Sequence, residues 1–137
     1  MAIVLDASAT LAWLVERSLA VEAELSRALL LRLYSEEALV PALWYPEVTN
    51  GILLVERRQH TAPSRCGSFL QLVAALEIAT GSIPPAAVQQ AVLGLARTHG
   101  LTGYDAVYLE LALRTKFPLA TFDRKLAAGV AVFGDAQ

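Results

Sequence analysis

The sequence predicts an α/β domain with a mainly parallel central sheet of about four to five short strands, sandwiched by helices. Three observations predict it. Short apolar runs such as Ala2–Leu5 and Ala38–Val40 recur along the chain. They alternate with longer stretches of helical spacing, clearest where Phe69, Leu72, Val73 and Leu76 fall at i, i+3, i+4 and i+7. The alternation continues from end to end, with no internal repeat, low-complexity segment or obvious linker, and strands joined through helices pair in parallel. A chain of 137 residues is one ordinary domain, taken as residues 1–137.

In order, Ala2–Leu5 reads as a strand ending at Asp6, and Ala7–Val15 as a helix without Gly or Pro to break it. A second helix spans about Val21–Leu33, with Val21, Leu25, Ala28, Leu29 and Arg32 on one stripe. Ala38–Val40 is the next strand, closed by Pro41. Pro46 suits a first helical turn, and Glu47 follows it in a helix whose buried face is Val48, Ile52 and Val55 and which ends near Arg57-Arg58. Asn50, three residues after Glu47, projects on the same side. After the helix of Phe69 to Leu76, Glu77–Thr80 reads as a third strand. Beyond Gly81 and Pro84-Pro85 a helix presents Val88, Val92, Leu95 and His99, and Gly100 stops it as a left-handed cap. A helix over Gly103–Lys116, with Val107, Tyr108 and Leu111 inward, precedes the strand Leu119–Thr121. Asp123, a helical turn at Arg124–Leu126 and a last strand Val130–Val132 complete the chain.

Composition narrows the function. Apolar residues are 55% and charged residues 18% of the chain, which argues against disorder and leaves apolar surface for a partner. The net charge of −2 gives no overall positive field for nucleic acid. It does not exclude an enzyme whose bound cations supply that charge. Arg57, Arg58, His60 and Arg65 form a local basic group that reads as a solvated helix end or a phosphate contact. One cysteine, Cys66, excludes an internal disulfide or a multi-cysteine zinc site and fits a reducing cytosol. With no signal-peptide pattern and no apolar run long enough to span a bilayer, a soluble cytoplasmic protein without a membrane partner is expected.

Four acids then stand out. Asp6 has the position of an N-cap, Glu47 lies in a helical first turn, Thr102 and Asp105 have capping-box spacing, and Asp123 can cap the turn after it. Each taken singly has this structural explanation. Together they have a geometric one, because helices that follow parallel strands begin at the carboxyl edge of the sheet, where open α/β sheets bind ligands. Asp6, Glu47 and Asp123 follow strand-like runs; Asp105 does not, and must be carried there by the loop Gly100–Gly103. Clustered carboxylates repel one another unless a cation neutralises them. Hard ions such as Mg²⁺ or Mn²⁺ suit oxygen ligands and can activate water against a phosphodiester. No Gly-x-Ser-x-Gly elbow or phosphate-binding Gly-rich loop offers another chemistry.

Ile3-Val-Leu-Asp-Ala-Ser8, Pro46-Glu-Val-Thr-Asn50, Tyr104-Asp-Ala-Val-Tyr-Leu-Glu-Leu-Ala112 and Pro118-Leu-Ala-Thr-Phe-Asp123 together resemble the motifs of PIN-domain proteins. Within them the resemblance is to VapC-type toxins of bacterial type II toxin–antitoxin modules. It implies a PIN-like fold and an endoribonuclease that uses Mg²⁺ or Mn²⁺, with Asp6, Glu47, Asp105 and Asp123 as catalytic metal ligands. Ser8, Asn50 and Thr121 match positions that support the ligands. The resemblance also implies an RNA substrate, a homodimer and a cognate antitoxin laid over the groove, with Trp13, Leu14, Trp44 and Tyr45 available for such contacts or for the core. Competing readings are a non-catalytic RNA- or antitoxin-binding module, and a DNA nuclease or phosphatase on the same acids.

Overall fold

In the computed structural model, which describes residues 2–81, 86–130 and 132–133, the chain opens on β1 (Ala2–Leu5) and α1 (Ala7–Leu11). Then come α2 (Ala20–Leu33), β2 (Glu37–Val40), α3 (Trp44–Gln59), α4 (Pro63–Ala74) and β3 (Ile78–Thr80). The chain continues through α5 (Ala86–His99), α6 (Gly103–Thr115), β4 (Leu119–Ala120) and α7 (Arg124–Ala127). The strands form one parallel sheet in the order β3-β2-β1-β4. All four residues of β1 are buried. Because side chains alternate across a strand, both faces of the sheet are therefore covered by helices. The core gathers Ile3, Val4 and Leu5 with Leu33, Trp44, Phe69, Leu109 and Leu119.

The strand order decides where a ligand can sit. From β1 the chain moves outward to β2 and β3, then returns to place β4 on the other side of β1. The direction reverses between β1 and β4, and the crevice outside the carboxyl ends of those strands is the switch point of the sheet. The pairing of Leu5 with Ala120, and the hydrogen bond from the Asp6 amide to the Ala120 carbonyl at 3.2 Å, bring Asp6 beside Thr121.

Several expectations are corrected. The first helix ends at Leu11 rather than Val15, since Trp13 and Leu14 bond back three residues, to Thr10 and Leu11. That turn lets the Trp13 indole donate to the Ser26 carbonyl at 3.0 Å. The buried residues of α2 are Ala23, Ser26, Leu29 and Leu33, so only Leu29 belongs to the predicted stripe; Val21 is 62% exposed. Ala23 and Ser26, both small, are buried on this helix, and hydrophobic spacing does not register such positions. Helix α6 is buried well beyond the predicted stripe, including Ala106, Leu109 and Ala112, and its buried Glu110 is neutralised by a two-pronged bond from Arg114 at 2.9 and 3.2 Å. Thr121 lies just past β4 instead of within it. The last predicted strand is represented by a single parallel bridge, Leu119 to Val132, with residue 131 outside the described residues, as is the Pro84-Pro85 pair. Cys66, Leu14 and Trp44 are core, whereas Tyr45 is exposed. Arg65 donates to the Leu14 carbonyl at 2.6 Å, and His60 forms the left-handed end of α3.

Gly100 turns the chain between α5 and α6 with φ +64, and a Cβ there would meet nothing within 4 Å. Substitution thus carries a backbone penalty and no clash. Gly100→Ala should destabilise the fold by about 1 kcal/mol, read as a lower urea midpoint with an unchanged denaturant slope, and Gly100→Asn should lose less.

Candidate active site

The site is built around Asp6, which begins α1 at the end of the most buried strand. As the N-cap, its Oδ1 accepts from the Ala9 amide at 2.8 Å and from the Ser8 hydroxyl at 2.7 Å. Its Oδ2 accepts from the Thr121 hydroxyl. Ser8 and Thr121 are themselves held: the Phe122 amide donates to Ser8 Oγ at 3.1 Å and the Asp123 amide to Thr121 Oγ1 at 3.0 Å. Two hydroxyl side chains thus stitch the ends of β1 and β4 around one buried carboxylate. Burial nevertheless dominates, lifting the Asp6 carboxyl to about 6 against the three hydrogen bonds, with the charge of Asp105 adding to the rise.

Asp105 occupies the first turn of α6, where the cap is Thr102: its hydroxyl accepts from the Asp105 amide at 3.1 Å. The Asp105 carboxyl is pushed up, first by desolvation and then by the charge of Asp123, with the Thr102 hydroxyl opposing. Helix α6 meets β4 across the short connection at Lys116, Phe117 and Pro118, so it runs back against the strand direction. A 13-residue helix covers roughly 20 Å, enough to return its first turn to the carboxyl edge. That connection, which the strand-end rule alone did not consider, places Asp105.

Glu47 sits half-buried in the first turn of α3. Its Oε1 accepts from the hydroxyl of Tyr108, one turn after Asp105 on α6. The Tyr108 phenol is held strongly against ionisation, by burial first, then by the bond to Glu47, and by the charges of Glu47, Asp6 and Asp105. Asp123 caps α7 through the Leu126 amide at 3.0 Å. Asn50 lies exposed one turn beyond Glu47 and makes no side-chain hydrogen bond among the described residues. Tyr108 was visible in the sequence only as an inward-facing apolar position; its spacing of three from Asp105 was the available signal.

The donors fit a hard divalent cation in chemical type, all being carboxylate oxygens. They fit it in electrostatic need as well, since no Lys or Arg forms an ion pair with any of the four acids among the described residues. They do not form a finished ligand set, because among the described residues no three His, Cys, Asp or Glu side chains stand close enough to hold an ion as they are.

The model of the PIN domain family matches residues 3–130, nearly the whole chain. The chain belongs to the PIN domain family. Such domains are generally metal-dependent nucleases. In fold the protein is similar to the crystal structure of PAE2754 from Pyrobaculum aerophilum, with a TM-score of 0.66, 24% identity, and coverage of 96% of this chain and 83% of that one. It is also similar to the crystal structure of FitAcB from Neisseria gonorrhoeae, with a TM-score of 0.63, 24% identity, and coverage of 98% and 97%. No curated protein sequence matches it. No helix of this PIN domain among the described residues is long and apolar enough to cross a membrane.

Burial of Asp6 makes stability depend on pH in a definite direction. The unfolded carboxyl titrates near 3.8 and the folded one near 6, so between those values only the folded state holds the proton. The stabilisation is complete below pH 3.8 and lost as pH rises through about 6, amounting to about 3 kcal/mol. In metal-free protein, Asp6→Asn should therefore gain about that much relative to wild type between pH 3.5 and 7.5, measured by urea unfolding across the range. A constant difference would refute the assignment.

Proposed function

We propose that this PIN domain is the endoribonuclease toxin of a VapC-type toxin–antitoxin module. It hydrolyses RNA phosphodiester bonds with Mg²⁺ or Mn²⁺ at Asp6, Glu47, Asp105 and Asp123. The observation that carries the reading is Asp6: a buried acid at the switch point of the sheet, held by Ser8, Thr121 and the Ala9 amide, with acidic neighbours and no basic partner among the described residues. An isolated structural cap has no need of further carboxylates beside it. A cation site does.

When bound, a divalent cation neutralises these charges, polarises the phosphodiester and lowers the pKa of water. The chain's own residues supply orientation. Ser8 and Thr121 fix both oxygens of Asp6, and the Thr102 cap fixes the start of α6 and hence Asp105. Asp123 is held at the other wall by its bond to the Leu126 amide. Glu47 closes the site from α3. Water attacks the phosphorus in line with the leaving oxygen. Exposed apolar side chains, including Leu31 at 69%, Tyr104 at 65% and Val21 at 62%, support contact with a second copy and with a cognate antitoxin in the cytoplasm.

Asp105→Asn should lower RNA cleavage by on the order of 100-fold or more while its thermal unfolding remains cooperative, and chelation of divalent ions should abolish cleavage by wild type. RNA, DNA and a phosphomonoester assayed side by side separate the ribonuclease from a DNA nuclease or phosphatase. Undiminished cleavage by Asp105→Asn in protein free of contaminating nuclease would sink the proposal.

A further inference from the structure

Glu47 differs from the other acids in how it is held. Asp6 and Asp123 are fixed by the amides of the helices they cap, and Asp105 stands beside its own cap, Thr102. Glu47 has a longer side chain with three rotatable bonds, on a helix whose N-cap, Leu43, offers no side-chain hydrogen bond. It forms no ion pair among the described residues. Unheld, such a carboxylate spreads over several rotamers.

Tyr108 supplies the hold. Its ring is 1% exposed, locked in the core of α6, and its hydroxyl donates to Glu47 Oε1 at 2.5 Å. Being three residues after Asp105 on one helix, Tyr108 shares a face with it, so one rigid element carries both an acid of the site and the tether of another. The start of α3 is pinned a second time, three residues before Glu47. The buried Trp44 indole donates to Thr10 Oγ1 at 3.0 Å, and that hydroxyl donates to the Asp6 carbonyl at 2.8 Å. One chain of bonds fixes the backbone of α3 against Asp6, and the phenol fixes the Glu47 side chain against α6. A phenol is also the right kind of donor. It orients a carboxylate without neutralising it, whereas Lys or Arg would compete with a cation for the charge. Oε2 of Glu47 takes no hydrogen bond among the described residues.

We propose that Tyr108 is a positioning residue that presets Glu47 for the cation, joining the acid of α3 to the acid of α6. The inference rests on the metal-dependent nuclease reading, with consequences of its own. Removing the hydroxyl leaves a competent fold in which Glu47 must be ordered when the ion arrives, so binding weakens; the RNA surface is untouched.

The test is a double-mutant cycle on the full chain, with Mn²⁺ affinity measured by calorimetry for wild type, Tyr108→Phe, Glu47→Gln and the double variant. Tyr108→Phe is expected to weaken Mn²⁺ by about tenfold, with kcat for RNA falling and KM staying within about twofold. In the Glu47→Gln background the same change should have almost no further effect. In metal-free protein the two single losses in Tm should sum to more than the loss of the double variant. Equal losses of Mn²⁺ affinity in both backgrounds would overturn the inference by reducing Tyr108 to general packing. So would wild-type affinity in Tyr108→Phe when Glu47→Gln binds weakly, and the nuclease reading would survive either result. Wild type that binds no Mn²⁺ would overturn both.

Discussion

One buried carboxylate sets the constraints on the rest of the structure. Asp6 stands at the end of a strand covered on both faces, where an ionised group is costly unless donors surround it. Its three hydrogen bonds come from three places: the Ala9 amide in the first turn of α1, the hydroxyl of Ser8, and the hydroxyl of Thr121 beyond β4. The last of these requires β4 to lie next to β1, so the parallel pairing of residues far apart in sequence and the solvation of Asp6 depend on each other. Even so, burial outweighs the bonds and keeps the carboxyl at about 6. The fold thus holds a hydrogen-bonded carboxylate whose charge is disfavoured by burial and that a nearby cation would favour. On the proposed reading, stability and function would draw on the same residue in opposite directions.

Topology then determines which other residues share that environment. With the strand order β3-β2-β1-β4, the crevice at the switch point is flanked by the first residues after β1 and β4. Helices running antiparallel to the strands have their starts at the same edge. That single rule covers α1, α3 and α7, which follow strands, and also α6, which precedes one. A helix start favours negative charge whether carried by a side chain or by a phosphate, and the caps at α1 and α7 are themselves carboxylates. Local capping and a shared electrostatic site are therefore compatible descriptions of the same residues. Asp6 and Asp123 are caps in fact, and their charges still act on their neighbours, Asp6 on Tyr108 and Asp123 on Asp105.

Much of the fold was legible because it depends on periodicity and punctuation. The strand ends at Leu5 and Val40, the spacing of Phe69 and Val73, and the left-handed turn at Gly100 are local signals, and they agree with the structure. Failures came where tertiary contact overruled local pattern. Helix α2 buries Ala23 and Ser26, and the Ser26 carbonyl has a partner in the Trp13 indole. Helix α1 stops at Leu11 as the chain bends to make that contact. The family likeness was carried by four short motifs and is supported over residues 3–130. Among the site residues, the hydroxyls of Ser8 and Thr121 lie against Asp6, while Asn50 is exposed and away from these bonds. Tyr108 escaped notice since a buried tyrosine and a buried leucine occupy identical positions in a hydrophobic pattern. Only the structure shows that its hydroxyl reaches Glu47.

The four acids stand on separate elements, and among the described residues no three of them come close enough to hold an ion as they are. Full convergence would bring like charges together with nothing to offset them, raising each carboxyl further and penalising the fold. The structure limits this by distributing the acids over separate elements. Asp6 sits on the sheet, Asp105 on α6, Asp123 at α7 and Glu47 on α3, each restrained by neutral donors or a neighbouring cap. Neutral restraint would preserve the charge that draws a cation while reducing the disorder that binding would otherwise have to remove. The backbone of α3 is anchored to Asp6 through Trp44 and Thr10, so what remains adjustable is chiefly side-chain rotation. The rigidity behind that restraint belongs to the apolar core beneath, where Trp44, Tyr108 and Leu109 pack with β1.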